Sequence, residues 1–347
     1  MTIYDLDTPA LVCDLEVLDR NLTTMQAHCD RLGIGLRPHL KTHKVPEIAR
    51  QQVSLGAIGV CCQKLSEAEV MSAAGLDNIL ILYNIVGPSK VKRLIHIVKT
   101  STITVACDSE ETAMGISEVA KHEGVKVRII IELDCNTGRC GVQSPQAALS
   151  LAQKMARMGG LDLQGIMTFP SYIESKPFIE ETVSLLTGAG FPVNIISGGS
   201  TGLEECSKEI GCNEHRSGSY AFEGMTRIRG SDTLTPERCP LRMICTVVST
   251  PTPERVIIDG GAKTFASHAP TPYGLILEHP DAKLRGMSVE HGHIDVSECA
   301  NRFRVGERVS VIPLHGGMTT NLHDTMYGAR GDSVETVWGI PARGKVQ

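Results

Sequence analysis

The feature that most constrains the fold is a regular alternation of short apolar runs with longer amphipathic stretches. The apolar runs cover residues 34–36, 59–62, 79–83, 103–107, 127–133, 163–168, 193–196 and, more weakly, 217–220. Stretches with helical spacing lie between them, at residues 66–74, 89–98, 110–122, 145–157 and 176–187. Buried parallel strands are short and apolar, and each needs a crossover helix before the next strand. The pattern therefore predicts a parallel (β/α)8 TIM-type barrel over residues 12–235.

An open doubly wound sheet is the alternative α/β architecture. It is disfavoured because no Gly-x-Gly-x-x-Gly motif follows the first strand. After residue 235 the helical stretches stop, and short strand-like runs lie at residues 242–249, 255–259, 275–277, 287–291 and 308–312. Runs of strands joined by turns are typical of an all-β domain. We expect a β-domain of residues 236–347 that the strand-like N-terminal residues 1–11 complete.

Charge and composition argue against several classes of function. The net charge is −5 with neutral histidines and no basic stripe is visible, so a nucleic-acid partner is not expected. No apolar run approaches the roughly 18 residues of a membrane helix, and the N-terminus lacks a signal-peptide pattern. The 12 cysteines include no Cys-x-x-Cys pair, which indicates reduced thiols. We expect a cytoplasmic enzyme with a small-molecule substrate.

The basic segment at residues 36–47 is the strongest chemical signal. Lys41 stands where the first barrel strand gives way to a connection, with His39, His43 and Lys44 close in sequence. Nearby positive charge and partial burial both disfavour the ammonium form of a lysine. A neutral lysine amine attacks aldehydes, and pyridoxal phosphate (PLP) is the obvious aldehyde cofactor. A basic surface loop is the alternative interpretation of such a cluster.

Glycine-rich segments follow the predicted seventh and eighth strands, at residues 197–202 and 218–220. Glycine lets backbone N–H groups approach phosphate oxygens closely, and barrels usually bind phosphate after these two strands. A Ser-Gly-Gly-Ser-Thr-Gly segment is often only a turn. Its place opposite a lysine after the first strand favours a cofactor phosphate site.

Several motifs, in this order along the chain, resemble the D-threonine aldolase and D-serine dehydratase family of fold type III PLP enzymes, which share the alanine racemase barrel. They are Arg37-Pro-His-Leu-Lys-Thr-His-Lys44, Cys61-Cys-Gln-Lys64, Gly138-Arg-Cys-Gly141, Ser197-Gly-Gly-Ser-Thr-Gly202, Gly218-Ser-Tyr-Ala-Phe222 and Asn321-Leu-His-Asp324. The resemblance extends from residue 7 to residue 344, nearly the whole chain.

The resemblance implies a role for each matching residue. Lys41 carries PLP as a Schiff base and moves protons on the substrate. Arg139 faces the pyridine nitrogen and leaves it unprotonated, because a guanidinium does not give up its proton at ordinary pH. His39 lies at the cofactor, and Gln63 bonds the cofactor oxygen or the substrate. The phosphate is lined by Gly199, Ser200, Thr201, Gly218, Ser219 and Tyr220. The resemblance also implies a homodimer.

Two departures from the family pattern fall on the substrate side. Family members carry a His-x-Asp or His-x-Cys pair that binds a divalent metal such as Mn, Mg or Zn. Here His315 matches the first ligand, but Gly317 stands at the second position and offers no side chain. His291, His293, His323 and Asp324 are the donors that would have to compensate. The second departure is Phe169-Pro170-Ser171, where the family has a tyrosine motif, with Tyr172 as the nearest replacement.

Three functions stay open on the sequence. The first is a PLP-dependent lyase that cleaves or dehydrates a D-β-hydroxy-α-amino acid, with an altered or absent metal site and with His315 as a metal-free acid or base. The second is a PLP-dependent racemase or epimerase, with Lys41 as the base on one face of Cα. The third is a PLP-binding protein without catalysis. The lyase is preferred because the resemblance covers both ends of the chain.

Overall fold

The computed structural model describes residues 1–135, 137–266, 271–300 and 302–347. Its Cα positions divide the chain into two compact units. The barrel unit comprises Thr24–Lys41, Pro46–Gly218 and Lys345–Gln347, and the β-unit comprises Met1–Thr23, Thr42–Val45 and Ser219–Gly344. The predicted domains, residues 12–235 and residues 1–11 with 236–347, rest on the change in sequence pattern near residue 235 and stay a prediction. No helix in the described ranges is both long enough and apolar enough to cross a membrane.

Strands and helices alternate along the first two thirds of the chain. The strands are β1 (Ala10–Asp14), β2 (Gly35–Leu36), β3 (Val60–Cys62), β4 (Ile79–Ile81), β5 (Ile103–Cys107), β6 (Val127–Leu133), β7 (Leu161–Thr168), β8 (Ile195–Gly199) and β9 (Glu214–Arg216). The helices are α1 (Leu15–Leu32), α2 (Pro46–Ser54), α3 (Leu65–Ala73), α4 (Pro88–Val98), α5 (Glu110–His122), α6 (Pro145–Ala156), α7 (Lys176–Gly188) and α8 (Glu204–Glu209).

The barrel unit is built on eight parallel strands in the order β2-β9-β8-β7-β6-β5-β4-β3. A parallel bridge between His39 and Cys61 joins the two ends of this order, supported by the Cys61 N–H donating to the carbonyl of Pro38 at 2.9 Å. The strands β3, β4 and β5 are buried along their whole length, as expected of a parallel sheet covered by helices. The predicted (β/α)8 fold is confirmed.

The last barrel strand was predicted at the wrong place. The sequence predicts it at residues 217–220, whereas the structure has β9 at Glu214–Arg216 and a 3-10 turn at Ser219–Ala221. Its three residues are polar but buried, so an apolar pattern does not reveal them. Each has a polar partner inside the unit: Glu214, for example, forms a buried ion pair with Arg37 at 2.8 Å.

The β-unit contains the remaining elements. Its strands are β1 and then β10 (Leu241–Thr252), β11 (Arg255–Ile258), β12 (Gly274–Ile276), β13 (Lys283–Met287), β14 (Gly292–Asp295), β15 (Arg308–Pro313), β16 (Thr325–Arg330) and β17 (Ser333–Gly339). Two short helices accompany them in the described part of the unit, α9 (Met225–Arg229) and α10 (Gly316–Thr320). The strand order is β11-β14-β13-β12-β15-β10-β1-β16-β17, and a further pairing of β11 with β10 closes part of the sheet on itself.

The N-terminal strand completes the β-unit as predicted. β1 lies between β10 and β16, antiparallel to the first and parallel to the second. Its residues Ala10 and Val12 pack into a buried cluster with Ile3, Leu6, Ile244 and Ala329. Apolar side chains on strands far apart in sequence thus share one core, which ties the N-terminus to the C-terminal third of the chain.

Two details of the β-unit differ from the sequence prediction. Residues 287–291 were expected to be a strand, but most of them form the turn between β13 and β14. The strands β16 and β17 were not predicted. β17 alternates exposed and half-buried residues, so it lacks the apolar run on which the prediction relied.

Candidate active site

Lys41 lies in a 3-10 turn, Leu40–Thr42, between β2 and α2. Its side chain is open to solvent on one side, yet protein atoms surround it on the others. Burial lowers the pKa of the Lys41 amine, and the charges of Arg139 and Arg216 lower it further, against an opposing contribution from Cys61. The neutral, nucleophilic amine is therefore more populated than in a free lysine.

The cause of this shift differs from the expected one. The sequence suggests His43 and Lys44 as neighbouring charges, but both belong to the β-unit. The His43 ring is fully buried and its Nδ1 accepts the Val45 N–H at 3.1 Å. The Lys44 ammonium donates to Oδ1 of Asn321 at 2.7 Å. The positive charges that act on Lys41 are instead two arginines far along the chain.

His39 is held in one orientation by Gln63. The Gln63 amide nitrogen donates to the carbonyl of Leu82 at 2.8 Å, so its oxygen must be the atom that faces Nε2 of His39 at 3.1 Å. A carboxamide oxygen only accepts, which assigns the proton of His39 to Nε2. The other ring nitrogen, Nδ1, is then free of a proton and accepts the backbone N–H of Lys41 at 3.4 Å. Gln63 thus fixes the histidine that contacts the Lys41 backbone.

Arg139 lies in a loop after β6 that the Asp134 carboxylate organises. Asp134 accepts the N–H groups of Thr137 and Gly138 at 2.8 and 3.2 Å. The Arg139 guanidinium lies 3.5 Å from a Glu132 oxygen and 5.1 Å from the centre of the Phe169 ring. Burial raises the pKa of Glu132, which Arg139 partly offsets. Arg139 is therefore a half-exposed cation beside Lys41.

The glycine-rich loop after β8 is held in shape by acceptors within the barrel unit. Gly199 donates its N–H to the Ser171 hydroxyl at 2.6 Å, and Ser200 donates its N–H to the carbonyl of Arg216 at 3.1 Å. The Gly218 N–H reaches the Thr201 hydroxyl at 3.3 Å, which joins the loops after β8 and β9. Ser200 has a φ of 106°, a region that non-glycine residues rarely occupy. Such strain persists only where the surroundings impose it, and it concentrates at functional sites.

Within the unusual Phe169-Pro170-Ser171 segment, Ser171 has a structural role. Its hydroxyl is fully buried and accepts from Gly199, so it supports the glycine-rich loop. A Cβ atom on the adjacent Gly198 would lie 2.5 Å from that hydroxyl oxygen, so only glycine fits there. Tyr172, proposed as a replacement for the family tyrosine, has half of its side chain exposed.

Three of the predicted site residues belong to the β-unit. Ser219 and Tyr220 lie in the 3-10 turn that follows the barrel unit, and Tyr220 is buried. His315 precedes helix α10, and its Nδ1 accepts the N–H of Met318 at 3.3 Å, which assigns the ring proton to Nε2. The other predicted residues, Lys41, His39, Gln63, Arg139, Gly199, Ser200, Thr201 and Gly218, belong to the barrel unit.

The residues around His315 do not form a divalent-metal site. A Cβ on Gly317 would lie 3.1 Å from Cα of Thr42, which leaves little room for a ligand side chain. Two proposed substitutes are engaged elsewhere: Nε2 of His323 lies 3.0 Å from the carbonyl of Thr264, and Asp324 pairs with Arg343. Across the described ranges, the only group of three metal-ligating side chains is His28, Glu204 and Glu205. A divalent ion needs several donors, so one at His315 does not fit.

The most important residue that the sequence interpretation missed is Arg216. It is buried in β9, where its guanidinium donates to the Ser197 hydroxyl at 2.5 Å and to the carbonyl of Thr168 at 2.7 Å. Its Nε has no hydrogen-bond partner among the described residues. A buried cation with an unpartnered nitrogen beside a lysine of lowered pKa fits an anionic, hydrogen-bonding cofactor such as PLP. The only sequence signal was a charged residue two positions before Gly218.

Two protein families match this chain in succession. The family described as alanine racemase, N-terminal domain, matches residues 13–222, and a putative serine dehydratase domain matches residues 240–329. The two matches together include all eight barrel strands and most of the strands of the β-unit.

Full-length relatives also match. The chain is 34% identical to a D-threonine aldolase of Arthrobacter sp over 355 residues, which cover 98% of this chain and 93% of the relative. It is 30% identical to a 3-hydroxy-D-aspartate aldolase of Paracoccus denitrificans, with the same coverage. The crystal structure of D-threonine aldolase from Filomicrobium marinum has a TM-score of 0.93 and 29% identity, and covers 100% of this chain and 98% of that one.

Proposed function

Because the chain belongs to the family of PLP-dependent lyases that includes D-threonine aldolase, we propose that it cleaves a D-β-hydroxy-α-amino acid between Cα and Cβ. The observation that carries the proposal is Lys41, an amine of lowered pKa in a turn braced by His39 and Gln63. Two aldolases among its relatives support cleavage over other PLP reactions. The products would be glycine and an aldehyde.

Each residue of the barrel unit has a proposed part in this reaction. PLP, when bound, supplies the electron sink that stabilises negative charge at Cα. Lys41 binds the cofactor and moves the proton at the substrate Cα. His39 and Gln63 orient the Lys41 turn, and Arg139 is assigned to the ring nitrogen with Arg216 as a second cation nearby. The segments Gly199–Thr201 and Gly218–Tyr220 are assigned to the phosphate.

His315 is proposed as an acid or base that works without a metal. Cleavage requires that the β-hydroxyl lose its proton, and imidazole is suited to accept one near neutral pH. With Nδ1 accepting the Met318 N–H, Nε2 carries the ring proton, so His315 can donate a proton as it stands and can accept one only after the Met318 contact breaks and Nδ1 becomes available. No step is assigned to a divalent ion, because the described donors around His315 do not converge.

Dehydration is the second candidate, because the residues 240–329 match a putative serine dehydratase domain. Elimination of the β-hydroxyl from the same substrate class would give a keto acid and ammonia. The two reactions share the cofactor and differ in which bond at Cβ breaks.

One assay separates these functions. The purified protein with PLP is incubated with D- and L-3-hydroxy amino acids, with and without Mn²⁺, and glycine, aldehyde and keto acid are measured. Glycine with an aldehyde from the D-isomers supports cleavage, and keto acid supports dehydration. Exchange of the Cα proton in deuterated water without either product would establish a racemase. Bound PLP without any turnover would establish a non-catalytic PLP protein.

We further propose that the protein is a cytoplasmic homodimer. All twelve cysteines are free thiols, and most are buried, as in proteins of a reducing compartment. The dimer is proposed from the family resemblance, and light scattering of the purified protein tests it.

A further inference from the structure

A buried carboxylate lies directly behind the glycine-rich loop. Glu204 is the first residue of α8 and its side chain is only 3% exposed. Both of its oxygens accept the N–H of Gly202, each at 3.0 Å. The Ser217 hydroxyl lies 3.3 Å from Oε1 of the same carboxylate. One side chain thus contacts the loop after β8 and the loop after β9.

This carboxylate is ionised at neutral pH. Burial by itself raises the pKa of Glu204, but the facing His215 ring and the hydrogen bond from the Gly202 N–H outweigh it and lower the pKa to about 2. A charge-assisted hydrogen bond to a backbone N–H is roughly twice as strong as a neutral one. The loop is therefore fastened by a charged acceptor.

His215 and Ser207 support the carboxylate from the other side. Nε2 of His215 lies 3.4 Å from Oε1 of Glu204, and Nδ1 lies 2.7 Å from the Ser207 hydroxyl oxygen. Nε2 faces the carboxylate closely but is too poorly aligned for a hydrogen bond; because a carboxylate only accepts, we assign the ring proton to Nε2, so that the Ser207 hydroxyl donates to Nδ1. His215 and Ser207 are both fully buried. The three side chains form a continuous chain from the core of the barrel unit to Gly202.

Glu204 is better explained as a support for the loop than as a metal ligand. It lies within 4.8 Å of the ligand atoms of His28 and Glu205. However, its oxygens already accept from Gly202 and face Ser217 and His215, whereas Glu205 is exposed and pairs with His28 at 3.1 Å. A metal would have to displace bonds that hold the loop.

We propose that Glu204, supported by His215 and Ser207, is a positioning residue for the phosphate group of the cofactor. It holds the Gly202 N–H and lies beside the Ser217 hydroxyl, whose oxygen is 2.8 Å from the Thr201 hydroxyl oxygen. These contacts keep the two loops together and maintain the strained backbone at Ser200. The inference rests on the proposed function, because it assumes that PLP binds with its phosphate at these loops.

The test compares two cofactors that differ only in the phosphate. The full-length apoprotein is titrated with PLP and with pyridoxal, which lacks the phosphate, and binding is followed by visible absorbance. The variant is Glu204→Gln, which keeps the size of the side chain and one acceptor oxygen but removes the negative charge and replaces the second oxygen by a donor. The matched control is Glu205→Gln, the neighbouring exposed residue. Far-UV circular dichroism and thermal unfolding check that each variant folds.

We expect Glu204→Gln to weaken PLP binding about tenfold, since the Gly202 N–H keeps only a neutral acceptor in place of a charged one, and to leave pyridoxal binding unchanged. The turnover number at saturating PLP should stay at the wild-type value, because Lys41 is untouched. Ser207→Ala, which removes the far end of the chain of contacts, should show a smaller loss of the same kind. Glu205→Gln should bind both cofactors as the wild type does.

Two results would overturn the inference. One is wild-type PLP affinity in Glu204→Gln, and the other is an equal loss for PLP and pyridoxal, which would indicate general structural damage. If Glu204→Gln does not fold, Ser207→Ala decides by the same two criteria. A wild-type protein that binds no PLP through Lys41 would instead contradict the proposed function, so the two failures are distinguishable.

Discussion

Two histidines of the candidate site lie at turns: His39 precedes the turn that carries Lys41, and His315 precedes α10. The two differ in what surrounds the imidazole ring. In the barrel unit, Gln63 fixes His39, and His39 accepts the Lys41 N–H. In the β-unit, the His315 ring accepts a local N–H from Met318, and the backbone of Thr42 occupies the space beside Gly317.

The difference teaches which part of the chemistry this chain has kept. His39 and Gln63 make the contacts that hold the turn of the Lys41 amine. Gly317, where the family carries its second metal ligand, is instead packed against backbone. A chain of this kind is expected to bind the family cofactor normally and to handle the substrate hydroxyl in its own way. Four predictions test each side of this contrast.

The largest effect is expected from Lys41→Ala. Without the amine, PLP has no covalent attachment and the substrate proton has no base, so turnover should fall about a thousandfold or more. The purified variant should also lose its visible cofactor absorbance. Lys154→Ala is the control, because the exposed Lys154 ammonium of α6 pairs with the Glu110 carboxylate of α5. A yellow variant reducible by borohydride at another lysine would contradict the assignment.

Gln63→Leu should reduce kcat/KM about tenfold, since it leaves the Nε2 proton of His39 and the carbonyl of Leu82 without their partner. The steady-state kinetics of the variant measure this loss. Gln146→Leu is a suitable control, because the Gln146 amide donates to the exposed carboxylate of Glu181. Unchanged kinetics in Gln63→Leu would mean that His39 does not depend on it.

Gly317→Asp restores the family's ligand type but should not restore a metal. Because its Cβ would lie 3.1 Å from Cα of Thr42, we expect the free energy of unfolding to fall by about 1–3 kcal/mol. Chemical denaturation measures it, with Gly115→Asp as control, since a Cβ there meets no atom within 4 Å. If the variant were as stable as the wild type and Mn²⁺ stimulated its activity, the expectation that position 317 cannot supply a metal ligand would be wrong.

The smallest expected effect is that of Arg139→Ala on how the rate of PLP uptake by the apoprotein depends on pH. The lowered pKa of Lys41 predicts that the uptake rate rises with pH and levels off below pH 10.5, the ordinary lysine value. Removing the Arg139 charge raises the Lys41 pKa, so the plateau should move to higher pH by a fraction of a unit. Rapid mixing of apoprotein with PLP measures it, and the exposed Arg157→Ala should leave the profile unchanged. A shift to lower pH would refute the electrostatic assignment.

The sequence allowed the barrel to be predicted, because apolar segments such as 79–81 and 103–107 are buried on both faces, and it also allowed the attachment of the N-terminal strand to be predicted. It did not reveal β9, since Glu214, His215 and Arg216 are polar and their partners are distant in sequence. Nor did it reveal β16 and β17, of which β17 is largely exposed.

The candidate site shows the same limit. Lys41 was identifiable from its place after the first strand, but the charges that act on it come from Arg139 and Arg216, which only the folded barrel brings near. Glu204 was equally invisible, because its role depends on a backbone N–H and on His215. Residue type and order predict a reactive group, whereas its electrostatic surroundings depend on contacts between distant segments.

The buried ion pair between Arg37 and Glu214 has a consequence for synthesis of the chain. Arg37 directly follows β2, the first strand of the ring, and Glu214 begins β9, the last; the two residues lie 177 positions apart and their side chains are at most 5% exposed. During translation, Arg37 emerges from the ribosome long before its carboxylate partner exists. The nascent chain must therefore keep that guanidinium hydrated, and ring closure becomes possible only after residue 214 has left the exit tunnel.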